Sequence, residues 1–472
     1  MGTVTPGSVL TMAGNSFTIP TPSAVEGYTF AGWCTDAELT TSAGTTYTPS
    51  ANSTLYGKWD VNPYYLTYDY QDEYTYYGDR TLDTGYVVDW DRSFKIEAAF
   101  KVGTLGKRYA IFSNYSSGTT TVSLEVTTAN KLRVYMGNGN VTNYADDKST
   151  ESIVKDEVIN VIFEWNADTN AYTLTATGTT VNISMSKTIA TNMTGLATRT
   201  FLIGRDYRTT TFGQIDISKV KISEKRNYNE VVSTFPTATK TGFTYNGWFA
   251  ATTGGTALTS VTIPAQDITI YAQKTENTYT IAFNNNGGTG TMSSLTGVRY
   301  TETKALTSNS FTKTGYTFKG WATSQANANA GTVAYANGAS VKELSATNGA
   351  TVTLWAAWKD ETAPVANDIS VTATLKSASQ TATISATDGV GVVSYYWDTT
   401  SPTDGSTFTE TTSTANFSTT KTINTAGTYY FAVKDSAGNM SNIKSVVINS
   451  YAVQNLLEKN RWNNKYTYKC KL

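Results

Sequence analysis

Five side chains in the middle of this 472-residue chain have types suited to holding a ligand: Tyr109, Tyr115, Tyr144, Tyr207 and Arg208. An aromatic ring stacks on the face of a sugar, and a guanidinium donates a planar fork of hydrogen bonds. Tyrosine is also an ordinary surface residue of strands, and for any one of the five that reading is preferred. Asp146, Asp147 and Asp206 are the oxygen donors that would contribute to a calcium site. Beyond calcium, no cofactor is expected.

Catalytic chemistry finds fewer candidates. The chain has no histidine, which excludes a Ser-His or Cys-His nucleophile and an imidazole-ligated metal. Glu164 and Asp168 are the nearest acidic pair in a strand-and-turn context, but Asp168 falls in the predicted turn 166–170. Retaining glycoside hydrolysis needs two carboxyl groups about 5 Å apart, and this pair does not offer them. Cys34 and Cys470 sit at opposite ends of the chain, giving neither a disulfide framework nor a zinc spacing. No catalytic residue is assigned, and the chain is expected not to be an enzyme.

The elements that position these residues are strands. Only 15% of residues are charged, and Lys plus Arg (36) nearly balances Asp plus Glu (37). No strong field therefore points to nucleic acid or an acidic membrane. Thr and Tyr favour strands, while Gly and Asn favour the turns between them, so the composition predicts an all-β fold. The length exceeds one domain of roughly 100–200 residues, which predicts several. No run of about 18 apolar residues exists to span a membrane. The start, Met1-Gly2-Thr3-Val4-Thr5-Pro6, lacks the basic and apolar pattern of a signal peptide. Any export signal or anchor is expected to lie outside this chain.

A repeat organises the two ends. Gly27-Tyr28-Thr29-Phe30-Ala31-Gly32-Trp33 returns as Gly242-Phe243-Thr244-Tyr245-Asn246-Gly247-Trp248 and as Gly315-Tyr316-Thr317-Phe318-Lys319-Gly320-Trp321. Closing strands follow at Thr54 to Trp59, Thr269 to Lys274 and Thr353 to Trp358. The step from Trp to strand end is 26 residues in the first two copies and 37 in the third, so the third loop carries an insertion. The third copy also has an opening strand, Tyr279 to Phe283, that breaks at Asn284-Asn285-Asn286-Gly287-Gly288. This unit resembles the internalin-type B repeat (Listeria–Bacteroides repeat) of bacterial surface proteins. The resemblance implies a small β-grasp-like fold that serves as a spacer or adhesive module. The first two copies lack the opening strand, and a half-repeat is expected to borrow one from a neighbour. Trp33, Trp248 and Trp321 are read as core in preference to sugar platforms.

Between the first two repeats, strands alternate with period 2. Phe94, Ile96, Ala98 and Phe100 share one face; so do Leu132, Val134 and Met136, and Ile159, Val161, Phe163 and Trp165. The phase switches between Ile215/Ile217 and Val220/Ile222, which predicts a bulge. The pattern predicts a two-sheet sandwich. Leu82 to Tyr86, Phe94 to Val102, Lys131 to Val134, Thr200 to Gly204 and Ile215 to Ile222 resemble a concanavalin-like, laminin-G-type jelly roll. That resemblance implies carbohydrate or protein binding at edge loops or one sheet face, sometimes with calcium. The Glu-x-Asp-x-x-Glu arrangement of the fold's glycosidases is absent from this sequence.

After the linker Thr362-Ala363-Pro364, about seven short strands predict an immunoglobulin-like sandwich. Ala386 to Asp388, Gly427 to Val433 and Lys434 to Asn439 resemble the Ig-like stalk domains of bacterial surface proteins. Asp388, Asp435 and Asn439 are read as turn formers in preference to metal ligands. A Lys376–Asn449 isopeptide would need a buried acid beside it.

The expected domains are an N-terminally truncated B repeat at 1–60, the jelly-roll sandwich at 61–230, a partial B repeat at 231–275, a full one at 276–360, the Ig-like sandwich at 361–450 and a tail at 451–472. The whole reads as a fragment of a modular surface adhesin whose sandwich binds a glycan or a host protein. A plain structural stalk and a noncatalytic arm of a polysaccharide-degrading enzyme remain the alternatives.

Overall fold

The computed structural model describes residues 11–76, 81–115, 121–137, 143–190, 193, 199–205, 214–372, 379–449, 456–459 and 466–469. The fold is all-β and multidomain; among the described residues the one helix is the single turn Gln325–Asn329. No helix among them is long and apolar enough to cross a membrane. The chain forms two compact units, the first running from the N-terminus to Tyr279 with two short later segments, the second holding the remainder.

The third repeat defines the module. Its sheet order is Leu295–Arg299, Thr278–Asn284, Thr351–Asp360, Tyr316–Ala322. The opening and closing strands run parallel, with Thr280 opposite Thr351 and Phe283 opposite Leu354. The Trp-bearing strand is antiparallel to the closing strand and bulges between Phe318 and Gly320. Trp321 is fully buried among Phe283, Phe311 and Phe318. The extra loop residues supply the short helix, whose N-cap Ser324 accepts a hydrogen bond from the Asn327 amide.

The second repeat has the same order, but from chain that is not contiguous. Its closing strand, Ile268–Glu276, pairs antiparallel with Phe243–Phe249 and parallel with Pro63–Asp69. Pro63–Asp69 also pairs with the end of Ile215–Asn227. Pro63–Asp69 therefore fills the opening position, and residues 221–227 fill the second. The borrowed strand predicted for the half-repeat comes from residues assigned to the sandwich. The division at 230/231 is thus corrected: the sandwich is an insertion, leaving the second repeat after Asp69 and returning near the bulge between Ser218 and Lys221.

The insertion builds two sets of strands. One is Asn143–Ser152, Lys131–Gly137, Thr121–Val126, Tyr109–Ser113, Thr200–Ile203, Leu82–Val87; the other is Ile215–Asn227, Phe94–Val102, Ile159–Asn166, Ala171–Thr177, Asn182–Thr188. Their alternating apolar residues, Phe94, Phe112, Phe163, Trp165, Tyr172 and Phe201 among them, form one core. That core continues into Trp248, Ile263 and Ile270 of the second repeat, because Thr239–Lys240 also pairs with Leu82 and Asp83.

In the first repeat Tyr28–Cys34 pairs with Tyr56–Val61 and bulges between Phe30 and Gly32. Trp33 is half-buried, and its indole donates to Pro20 O at 2.9 Å; Trp248 donates to Pro236 O at 2.8 Å. The leading glycine of the motif is required on two counts. Gly27 and Gly242 have φ +77° and +80°, and a Cβ at either would lie 2.1 or 2.0 Å from the ring of Tyr228 or Tyr300.

The C-terminal sheet is built on Gln380–Asp398, which pairs with Val365–Ala366, Ser370–Thr372, Thr409–Ile423 and Gly427–Asp435; Lys444–Ile448 pairs with the last of these. The two strands read at 381–386 and 392–397 are one strand with a register shift between Thr387 and Val392. Asp388 sits at that shift and accepts from the Val390 and Gly391 amides. Asp435 likewise accepts from the Ala437 and Asn439 amides. Both are turn formers, as read. Lys376 lies outside the described residues, and Asn449 is exposed.

Candidate functional site

Three neighbouring strands of the sandwich turn polar residues away from the core. In Thr121–Val126 the apolar Val122, Leu124 and Val126 point inward, leaving Ser123 and Glu125 on the other face. In Lys131–Gly137 the inward Leu132, Val134 and Met136 leave Arg133 and Tyr135 there. The register sets Glu125 opposite Arg133 and Tyr135 opposite Ser123. On the far side Tyr135 faces Asp146 and Ser123 faces Ser113.

This register assembles a charged cluster. Arg108 grips Glu125 with two parallel contacts, Nη2 to Oε1 at 2.7 Å and Nε to Oε2 at 3.1 Å. Arg133 reaches the same carboxylate at 3.5 Å and holds Asp146 by Nε at 2.6 Å and Nη2 at 3.0 Å. That grip keeps the Asp146 carboxyl below its ordinary pKa and raises the Arg133 guanidinium. Glu125 is 1% exposed, so its charge is tolerated only because two guanidiniums accompany it. Both arginines keep about a quarter of their side chains open. The Tyr135 ring lies 5.1 Å from the Arg133 guanidinium and 5.7 Å from the Tyr115 ring. Ser113 and Ser123 hydroxyls meet at 2.5 Å, and the Ser113 hydroxyl accepts from the Tyr115 amide.

Of the five residues chosen from sequence, Tyr115 lies at this cluster, half-buried beside Tyr135. Tyr109 is corrected: it is 1% exposed, and its hydroxyl donates to Thr104 O. Its strand is buried along its whole length, so it offers no ring to a ligand. Tyr207 and Arg208 lie outside the described residues, as does the side chain of Tyr144. Arg108, Glu125, Arg133 and Tyr135 escaped the sequence reading, although the alternation already set Arg133 and Tyr135 on one outward face.

The calcium candidates are engaged otherwise. Asp146 is held by Arg133; Asp147 accepts from the Tyr172 hydroxyl at 2.5 Å and pairs with Lys187 at 3.2 Å. Asp206 lies outside the described residues. Glu164 accepts from the Tyr65 hydroxyl at 2.8 Å, while Asp168 sits in the turn after its strand.

Residues 2–58, 210–273 and 279–347 match the Listeria-Bacteroides repeat domain. The second match, 210–273, does not include the opening strand Pro63–Asp69. Internalin H of Listeria monocytogenes is 38% identical over 109 residues, 22% of this chain. The chain spans only 19% of that relative's length. Among solved structures, peanut lectin is 10% identical with a TM-score of 0.24, over 36% of this chain and 94% of the lectin. The Ruminococcus gnavus IT-sialidase CBM40 bound to sialyllactose is 11% identical with a TM-score of 0.23, over 32% of this chain and 90% of its own. A Trypanosoma rangeli sialidase mutant is 14% identical with a TM-score of 0.22, over 29% and 22%.

Proposed function

We propose that the chain is part of a modular bacterial surface or secreted adhesin, in which the inserted sandwich recognises a glycan noncovalently and the repeats and C-terminal sandwich act as spacers. One observation carries the glycan reading: Arg108 and Arg133 are fixed on Glu125 beside the Tyr115 and Tyr135 rings on one polar face. A sugar presents vicinal hydroxyls and an apolar ring face, and this face offers fixed planar donors next to aromatic surface. The Listeria-Bacteroides repeats support the surface placement.

The reading assigns no catalysis. Glu125 is engaged by two guanidiniums, Arg108 and Arg133. It assigns no cation either, since Asp146 and Asp147 are spent on Arg133, Tyr172 and Lys187.

The test is a glycan array probed with the full chain, with and without a chelator, followed by titration of any hit. Saturable, chelator-insensitive binding that falls at least tenfold in Tyr115→Ala and in Arg133→Ala supports the site. Binding that persists in both variants moves the site elsewhere on the sandwich. Absence of binding to any glycan favours a protein ligand or a plain stalk.

A further inference from the structure

We propose that the repeat is a load-bearing module stressed in shear, and that insertion into the second repeat keeps the ligand-bearing sandwich out of the path of tension. The chain enters the second repeat at the start of Pro63–Asp69 and leaves it at the end of Ile268–Glu276. These two strands are hydrogen-bonded parallel neighbours, Leu66 opposite Ile268 through Asp69 opposite Tyr271. Tension on the chain therefore pulls the start of one strand against the end of the other, along the strand axes. The slanted, evenly spaced bonds of a parallel ladder are then strained together and must fail together. The third repeat has the same entry and exit, with five pairs from Thr280–Thr351 to Asn284–Trp355.

The sandwich sits behind this ladder. While Pro63–Asp69 holds to Ile268–Glu276, force passes directly between them and none crosses Tyr70 into the insertion. Once that ladder fails, the load falls on Pro63 and Asn227, register partners at the far end of the antiparallel strand pair that leads into the sandwich. Pulling there opens the pairs Pro63–Asn227, Tyr64–Arg226 and Tyr65–Lys225 one after another. A ladder that opens one rung at a time yields at lower force than one that must break all rungs at once. A binding domain placed so stays folded under flow for as long as its host repeat does.

The full chain, tethered by its two ends and stretched in single-molecule force spectroscopy, tests this without any substitution. Rupture of the second repeat with the sandwich still folded releases about 55 residues, or roughly 20 nm of contour; the sandwich releases about 150 residues, or roughly 50 nm. The expected record has the 50 nm step only after the 20 nm step, and at no more than half its force. A 50 nm step that comes first, or a 20 nm step at equal or lower force, overturns the proposal. Neither result depends on whether the sandwich binds a glycan.

Discussion

The backbone amide of Tyr65 donates to the Asp267 carboxylate at 2.7 Å, across 202 residues of chain. The bond sits at the start of the parallel pair that completes the second repeat. Closing so long a loop costs entropy before the contact contributes anything, and pairing of this range slows folding. Asp267→Ala removes the acceptor where the strands first meet. We expect a loss of about 1 kcal/mol in urea unfolding and faster hydrogen exchange at the amides of 65–69. Unchanged exchange there would show that the pair is held by burial of Leu66 and Tyr68 alone.

Glu224 joins the borrowed strand to the insertion. It is 3% exposed and accepts from the Tyr68 hydroxyl at 2.9 Å, the Tyr86 hydroxyl at 3.1 Å and Arg226 Nη2 at 2.7 Å. Glu224→Ala strands two buried hydroxyls and part of a guanidinium, and is expected to cost about 3 kcal/mol. Glu224→Gln keeps the shape and an acceptor and should cost clearly less. Equal losses in the two variants, read by thermal unfolding, would point to packing and not to the hydrogen bonds.

Asp72 is shared by two lysines. Its carboxylate, fully buried, lies 2.5 Å from Lys240 Nζ and 3.3 Å from Lys274 Nζ. Burial pulls the Lys240 pKa down, against the pull of Asp72. Asp72→Ala leaves two ammonium groups without that anion and is expected to cost about 4 kcal/mol. Lys240→Met leaves Lys274 on Asp72 and fills the space with apolar volume, so its loss should be smaller. Denaturant midpoints for the two variants decide the order.

Asp36 gives the first repeat a pH dependence. Its carboxylate accepts from the Thr40 amide at 3.0 Å and the Thr41 amide at 2.6 Å. The Thr40 bond is the main reason its pKa falls from 3.8 to about 2. A carboxyl depressed on folding stabilises above its unfolded pKa, and the contribution is lost as pH falls through the folded one. The loop 36–41 should therefore hold its structure above pH 4 and loosen towards pH 2. A carboxyl titration of Asp36 by NMR with a midpoint near 4 would contradict this.

The strands were the legible part. Phe94–Val102 and Ile159–Asn166 alternate cleanly, and the bulge near Lys219 announced itself as a phase switch from Ile217 to Val220. Trp248 and Trp321 are core, as read, because each strand's alternation fixed its face. The opening strand of the second repeat was hidden for a physical reason. Tyr64-Tyr65-Leu66-Thr67-Tyr68-Asp69 alternates much as Tyr279 to Asn284 does, but where the third repeat turns at Asn285 to Gly288, the second continues into the sandwich. Without that turn nothing local marks the strand as part of the repeat. Tyr109 was misread because its strand is covered on both faces, which the local sequence does not announce. Glu125 and its arginines come from three separate segments, and only the register of Thr121–Val126 against its neighbours brings them together.

The pairing of Asp69 with Lys221 has one more consequence. The insertion departs and returns at adjacent points of two neighbouring antiparallel strands, so the host repeat makes a single small demand on its guest. Any domain whose first and last strands lie side by side fits the same port. Cargo and scaffold can then diversify separately: a cassette exchanged at this hairpin changes what is displayed while the repeats before and after it keep their sequence.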